Sequence, residues 1–298
     1  MAMLLETLPS RIDIHCAKIA GRHIFWHAPF IAPLESPQSV LNAEPGTFLY
    51  WPERQFLELI YGELQAESAQ VTVLGHLTGP VDWLTRLGSD VMQYQGYRRF
   101  WATLSQNIRS EPHPAPRIDN CPHAQAARKA HAQCNQPAIE SGEPPDLLVL
   151  RDARRAAWLQ EPDCLRTLVA HRGIMLPYGP LAMAEGEFRK LQELLWGLYS
   201  AMQTAREGID APATGHFLIH AFLGRIVGLC GLEESGHVLR LAALLLHTRP
   251  ADAQTVLEET ILYCGRMAAW LDLAIPWYRL NEAVLESQSV PGLSDGEV

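Results

Sequence analysis

From residue 109 to 145 the chain carries Pro112, Pro114, Pro116, Pro122, Pro137, Pro144 and Pro145 and hardly an apolar residue. Proline fixes φ and removes a backbone donor, and a stretch with so few large apolar residues cannot build a core. The stretch therefore divides the chain. The expected organisation is an α+β domain over 1–108, a Pro-rich linker over 109–145 with one short helix at 124–134, a helical bundle over 146–290 and a tail over 291–298.

The two sides of the divide read differently. Residues 11–80 alternate short runs of Ile, Val, Phe, Trp and Thr with turn signals at Pro29, Pro33, Pro37, Pro45-Gly46 and Gly79-Pro80. Strands are expected at 12–19, 23–30, 47–51 and 70–77, forming a small mixed or antiparallel sheet. Two helices are expected among them. One, at 52–65, starts on Pro52 and sets Phe56, Leu57, Ile60, Tyr61 and Leu64 on one side. The other spans 81–108 and has a break at Gly88 or Gly96.

Beyond the linker, 146–150 reads as a strand and the rest as helices at 163–171, 186–206, 214–231, 235–248, 252–274 and 275–286. Thr214 and Ser235 are the expected caps and Gly231 the expected terminator. Short connections force antiparallel neighbours, so Phe217, Ile226, Leu239, Leu244, Leu245, Val256 and Ile261 are expected in one core, with Leu244 fully buried. The fold class is α+β, mainly α.

Composition narrows the setting. With 298 residues, 48% of them hydrophobic and 19% charged, the chain can bury a large core. The most apolar window, 217–232, is interrupted by His220 and Arg225, so no membrane span is expected. The first residues lack the charged start and apolar block of a secretory signal, and six scattered cysteines fit reduced thiols. A cytoplasmic location is the expectation. The net charge of −9 argues against a surface given wholly to nucleic acid or anionic lipid, although residues 81–135 are mildly basic.

Three groups of residues could carry chemistry. Cys121, His123, His131 and Cys134 place two thiols and two imidazoles within the linker, the donor set of a structural zinc site, with Cys-x-His closer than the usual spacing. Arg86, Tyr94, Tyr97, Arg98, Arg99 and Trp101 interleave cations and aromatics, as proteins that hold single-stranded nucleic acid do. At helical spacing, however, Tyr94, Tyr97 and Trp101 would form an apolar stripe against the sheet. His216 and His220 share a helix face, with Glu233, Glu234 and His237 just beyond, a set from which a bundle could build a metal or acid–base site. His23 and His27 do not converge with Cys16 on one ligand.

The sequence has no phosphate-binding glycine loop, dinucleotide fingerprint, nucleophile elbow or kinase set. The expected function is accordingly a non-enzymatic accessory or structural subunit of a larger cytoplasmic assembly, whose helical C-terminal domain docks a protein partner, with eight tryptophans supplying the aromatic-rich surface that interfaces use. The alternatives are a nucleoprotein subunit, zinc-stapled and bound through the arginine–aromatic segment, and a metal-dependent enzyme using His216, His220 and His237.

Overall fold

The computed structural model of the chain describes residues 1–18, 20–64, 69–106, 144–171, 178–204 and 208–288. Helix α1 (Ala2–Glu6) leads into β1 (Ser10–Cys16), β2 (Gly21–His27), β3 (Gln38–Ser39), β4 (Thr47–Trp51), β5 (Phe56–Leu64) and β6 (Gln70–His76), then α2 (Asp82–Tyr94) and β7 (Phe100–Leu104). The seven strands make one sheet in the order β3-β6-β4-β5-β2-β1-β7, with every pairing antiparallel. The bundle follows: α3 (Pro145–Leu159), α4 (Asp163–His171), α5 (Gly179–Gln203), α6 (Ala211–Leu223), α7 (Glu233–Thr248), α8 (Ala253–Ala274) and α9 (Trp277–Gln288). The mainly helical α+β class holds.

Alternation sorts the strand residues onto two faces. Ile14, Cys16 and Ile24 pack with Leu84 and Val91 of α2 on one face. The opposite face carries Phe25, Leu49, Trp51, Phe56, Ile60 and Val71 as an apolar cluster, and beside it Asp13, His15 and His27 turned toward the bundle.

Three elements depart from the expectation. The segment read as a helix at 52–65 is a turn followed by β5, because its apolar residues satisfy the strand period as well: Phe56 and Ile60 lie with one cluster, Leu57 with another. Gln55, with φ 51, takes the left-handed conformation that starts the strand. The helix expected to reach residue 108 stops at Tyr94. Gly96, φ +88, turns the chain there, and a Cβ at that position would sit 2.4 Å from the backbone nitrogen of Pro276. Residues 146–150 open a helix instead of forming a strand: Pro145 occupies its first turn, Asp146 complements the dipole, and Leu147, Leu150 and Ala157 fall on one buried face.

Helix α8 is the axis of the bundle. Nearly every residue from Val256 to Leu273 is buried, the mark of a helix enclosed on all sides, and it runs against α5, α3, α7 and strand β2. The start of α6 is capped by Asp210, whose side chain accepts from the Ala213 N–H, rather than by Thr214. A π-helical segment, Gly224–Leu229, continues α6, and Gly231 (φ +69) ends it as expected. Ser235 lies buried inside α7, two residues past its start, and caps nothing.

Leu244 is 53% exposed and Phe217 68% exposed, so neither belongs to the core. Three consecutive leucines at 100° per residue cannot all face inward, and Leu245 and Leu246 take the buried side of α7. Among the described residues no helix is long and apolar enough to cross a membrane. Cys121, His123, His131 and Cys134 lie outside the described residues.

Candidate active site

Where the bundle meets the sheet, charged and imidazole side chains replace the apolar contacts seen elsewhere. Strand β1 supplies Asp13 and His15, strand β2 supplies His27, and α8 answers with Arg266 and Asp272 while α5 answers with Arg189 and Gln192. A run as apolar as α8 spends buried positions on Arg266 and Asp272 only because each meets an opposite partner there.

Asp272 is fully buried and anchors the site. Its Oδ2 accepts from His15 Nδ1 at 2.6 Å and from Gln95 Nε2 at 3.0 Å. Its Oδ1 accepts from Trp277 Nε1 at 3.0 Å and from the Lys18 ammonium. Burial pulls the Lys18 pKa down to about 8, against the carboxylate of Glu185. Lys18 also lies over the Trp277 ring, 4.4 Å from its centroid. Asp13 and Arg266 form a second buried pair, with Arg266 Nη2 donating at 2.8 Å. Burial alone would raise the Asp13 carboxyl, but the Arg266 guanidinium outweighs it and holds the group below its ordinary value.

His15 is fully buried and stacked on Phe25, ring centroids 5.0 Å apart. Its Nδ1 hydrogen points at the Asp272 carboxylate, and its Nε2, equally buried, has no hydrogen-bond partner. Burial first, and then the Lys18 charge, keeps the ring well below the ordinary histidine pKa, so Nε2 carries a bare lone pair. His27 stands edge-on to it at 5.3 Å and accepts from Arg189 Nη1 at 3.0 Å. Burial and then Arg189 lower its pKa as well.

Arg189 also donates to Gln192 Oε1 at 3.0 Å and pairs with Glu185 at 3.3 Å. Gly265 of α8 leaves the room these amides occupy: a Cβ there would lie 3.3 Å from the Oε1 atoms of both Gln192 and Gln55. The Gln55 side chain, 1% exposed, leaves its Nε2 without a partner.

Three histidines, His15, His27 and His23, the last lowered to about 4, are held neutral by burial and tie stability to pH. The unfolded chain takes up a proton on each near pH 6.5, whereas the folded chain does not, so it is the unfolded state that binds more protons below that pH. Stability is therefore full above about pH 6.5 and falls as pH drops through it, by about 1.4 kcal/mol per pH unit per histidine. Urea midpoints measured from pH 7 to 5 should show this slope, and His27→Gln should make it shallower. A midpoint independent of pH in that window would mean that the rings are protonated in the folded state.

The residues singled out in the sequence lie elsewhere. Arg86 lies on α2. Tyr97 is 63% exposed, and Trp101, on β7, is 44% exposed with Arg11 over its ring, so the expected apolar stripe against the sheet does not form. Arg98 lies over Tyr94, and Arg99 bonds Glu161 at 2.7 Å and covers Trp270. His216 Nδ1 donates to the Ala243 carbonyl oxygen, 2.9 Å away, and the ring lies near those of His220 and His247. No group of three or more His, Cys, Asp or Glu among the described residues is arranged to hold a metal ion.

His23 and His27 do share a face of β2, but with His15 and not with Cys16, which points the other way toward α2. Burial raises Cys16, Cys164 and Cys230 to about 11, which leaves them protonated and unreactive. Two cavities open away from the buried polar cluster. One of about 330 Å³ lies among α3, α4, α7 and α8 beside Cys164 and Tyr263, and one of about 80 Å³ lies beside α1. Neither is lined by His15, His27 or Asp272. The site is assigned where vacant buried donors and acceptors meet, since volume alone performs no chemistry.

No family model matches the chain, and no curated protein matches it. Among solved structures it matches "Structure of McbB in complex with tryptophan", with a TM-score of 0.61 and 17% sequence identity over 95% of this chain and 91% of that chain. At this identity the likeness is one of fold. It nonetheless corrects the expectation of a non-enzymatic accessory subunit: almost the whole chain, sheet and bundle together, follows the architecture of a protein solved with a bound amino acid.

Proposed function

We propose that this protein is an enzyme that moves a proton on a small, amino-acid-like molecule held where the sheet meets the bundle, with His15 as the base. One observation carries the reading. Asp272 fixes the His15 Nδ1 hydrogen at 2.6 Å, and the opposite nitrogen, buried and without a partner, is left as a lone pair with nothing to accept from except a ligand. A carboxylate behind an imidazole orients the ring, fixes its tautomer and stabilises the imidazolium formed when the ring takes a proton. The likeness to the tryptophan complex of McbB supports the ligand class, and the stacked Phe25 and Phe56, 4.2 Å apart, supply an aromatic wall beside the imidazole. Buried free thiols at Cys16, Cys230 and Cys264 suit a cytoplasmic setting.

The test is calorimetry of the full chain with L-tryptophan, the other aromatic amino acids and their 2-oxo acids, followed by proton exchange from the bound molecule into D2O. Binding with Kd below about 1 mM is expected for at least one member. His15→Ala should slow the exchange by about 10²-fold or more while changing affinity far less. The reading is overturned if no member binds, or if His15→Ala exchanges as fast as the parent.

A further inference from the structure

We infer that His27 is a second catalytic residue of this site, a neutral imidazole with its proton on Nδ1 that donates a hydrogen bond to the ligand oxygen on which negative charge develops. This rests on the reading of His15 as the base. The tautomer follows from Arg189. A guanidinium has five N–H donors and no acceptor, so at 3.0 Å from Arg189 Nη1 the His27 Nε2 atom can only accept. An accepting Nε2 carries no hydrogen, and the hydrogen of the neutral ring must sit on Nδ1. That atom is buried and has no hydrogen-bond partner.

His15 and His27 therefore present a vacant acceptor and a vacant donor from rings 5.3 Å apart. They do not satisfy each other, although leaving a buried N–H without a partner is costly. Arg189 is the positioning residue. It is only 11% exposed and is itself held by Glu185 and Gln192, so its contact with His27 is rigid. Gln55 adds a second vacant donor, from a backbone conformation in the left-handed region.

The chemistry balances. His15 Nε2 takes a proton from a C–H or N–H of the ligand and becomes an imidazolium against Asp272. The electron pair left behind passes onto a conjugated oxygen, which accepts from His27 Nδ1–H. His27 keeps its proton throughout, and return of the proton from His15 closes the cycle. The substrate class is thus a molecule whose acidic hydrogen is conjugated to a carbonyl oxygen.

The tautomer can be read without a ligand, by long-range proton–nitrogen NMR of the full chain carrying ¹⁵N-histidine. His27 should show a protonated Nδ1 and a bare Nε2 at neutral pH, and Arg189→Met, which removes the donor to Nε2 but leaves the ring buried, should shift the neutral ring toward the Nε2-protonated tautomer. A proton on Nε2, a doubly protonated ring, or a spectrum unmoved by Arg189→Met overturns the inference and leaves the His15 reading intact. A protonated His15 Nε2 at neutral pH would overturn the His15 reading and, with it, this inference. In the exchange assay, His27→Asn keeps a donor at the Nδ1 position and should lose little. His27→Gln places its amide near Nε2 instead and should lose about 10²-fold. Equal losses in the two variants would mean that His27 only fills space.

Discussion

Replacing Asp272 by alanine is expected to lower the free energy of unfolding by about 3–5 kcal/mol. The carboxylate is fully buried and accepts from His15, Lys18, Gln95 and Trp277. Its removal leaves four donors facing each other in a buried space, one of them a cation. Those donors come from β1, the segment after it, the end of α2 and the start of α9, so the loss reaches four parts of the chain. Asp272→Asn, which keeps the shape and two of the contacts, should cost less. Urea unfolding with an unchanged slope would measure both variants. A loss below about 1 kcal/mol for alanine would show that water enters the site and replaces the carboxylate.

Phe188→Ala is expected to cost about 3–5 kcal/mol, because Phe188 of α5 is fully buried in the bundle core, where a cavity of that size cannot collapse. Leu244→Ala, at a position the sequence pattern places in the core, should cost under about 1 kcal/mol, since the side chain is half in solvent. The two variants measured side by side by thermal and urea unfolding test the assignment of the core. Equal losses would mean that Leu244 is covered in solution by something that binds the outer face of α7.

Periodicity carried the reading of the fold as far as periodicity can. The strand at Thr47–Trp51 and the helix at Asp163–His171 match their expected limits, because each is bounded by proline or glycine signals and follows one period without ambiguity. The sequence of β5 suits a helix as well as a strand because Phe56, Leu57, Ile60, Tyr61 and Leu64 fit both periods, and only pairing with β2 and β4 decides between them. The site was less legible. His15 and Asp272 match no local motif, and the pair exists only because β1 lies against the C-terminal end of α8. One local signal was present in α8 itself, where Arg266 and Asp272 interrupt an otherwise apolar run, and a buried charge in such a run implies an opposite charge elsewhere in the fold.

The partners Asp272 and His15 are separated by 257 positions in the chain. During synthesis at about 5–20 residues per second, β1 therefore emerges on the order of ten to fifty seconds before the helix that completes it. Once β7 has followed, all seven strands have been made while Arg266 and Asp272 have not, so Asp13 and His15 are without the partners that bury them. The apolar cluster of Phe25, Trp51, Phe56 and Ile60 lies on the same face, so until α8 is made the unfinished half carries an apolar patch beside a hydrated polar one, the kind of surface by which chains under synthesis stick to one another.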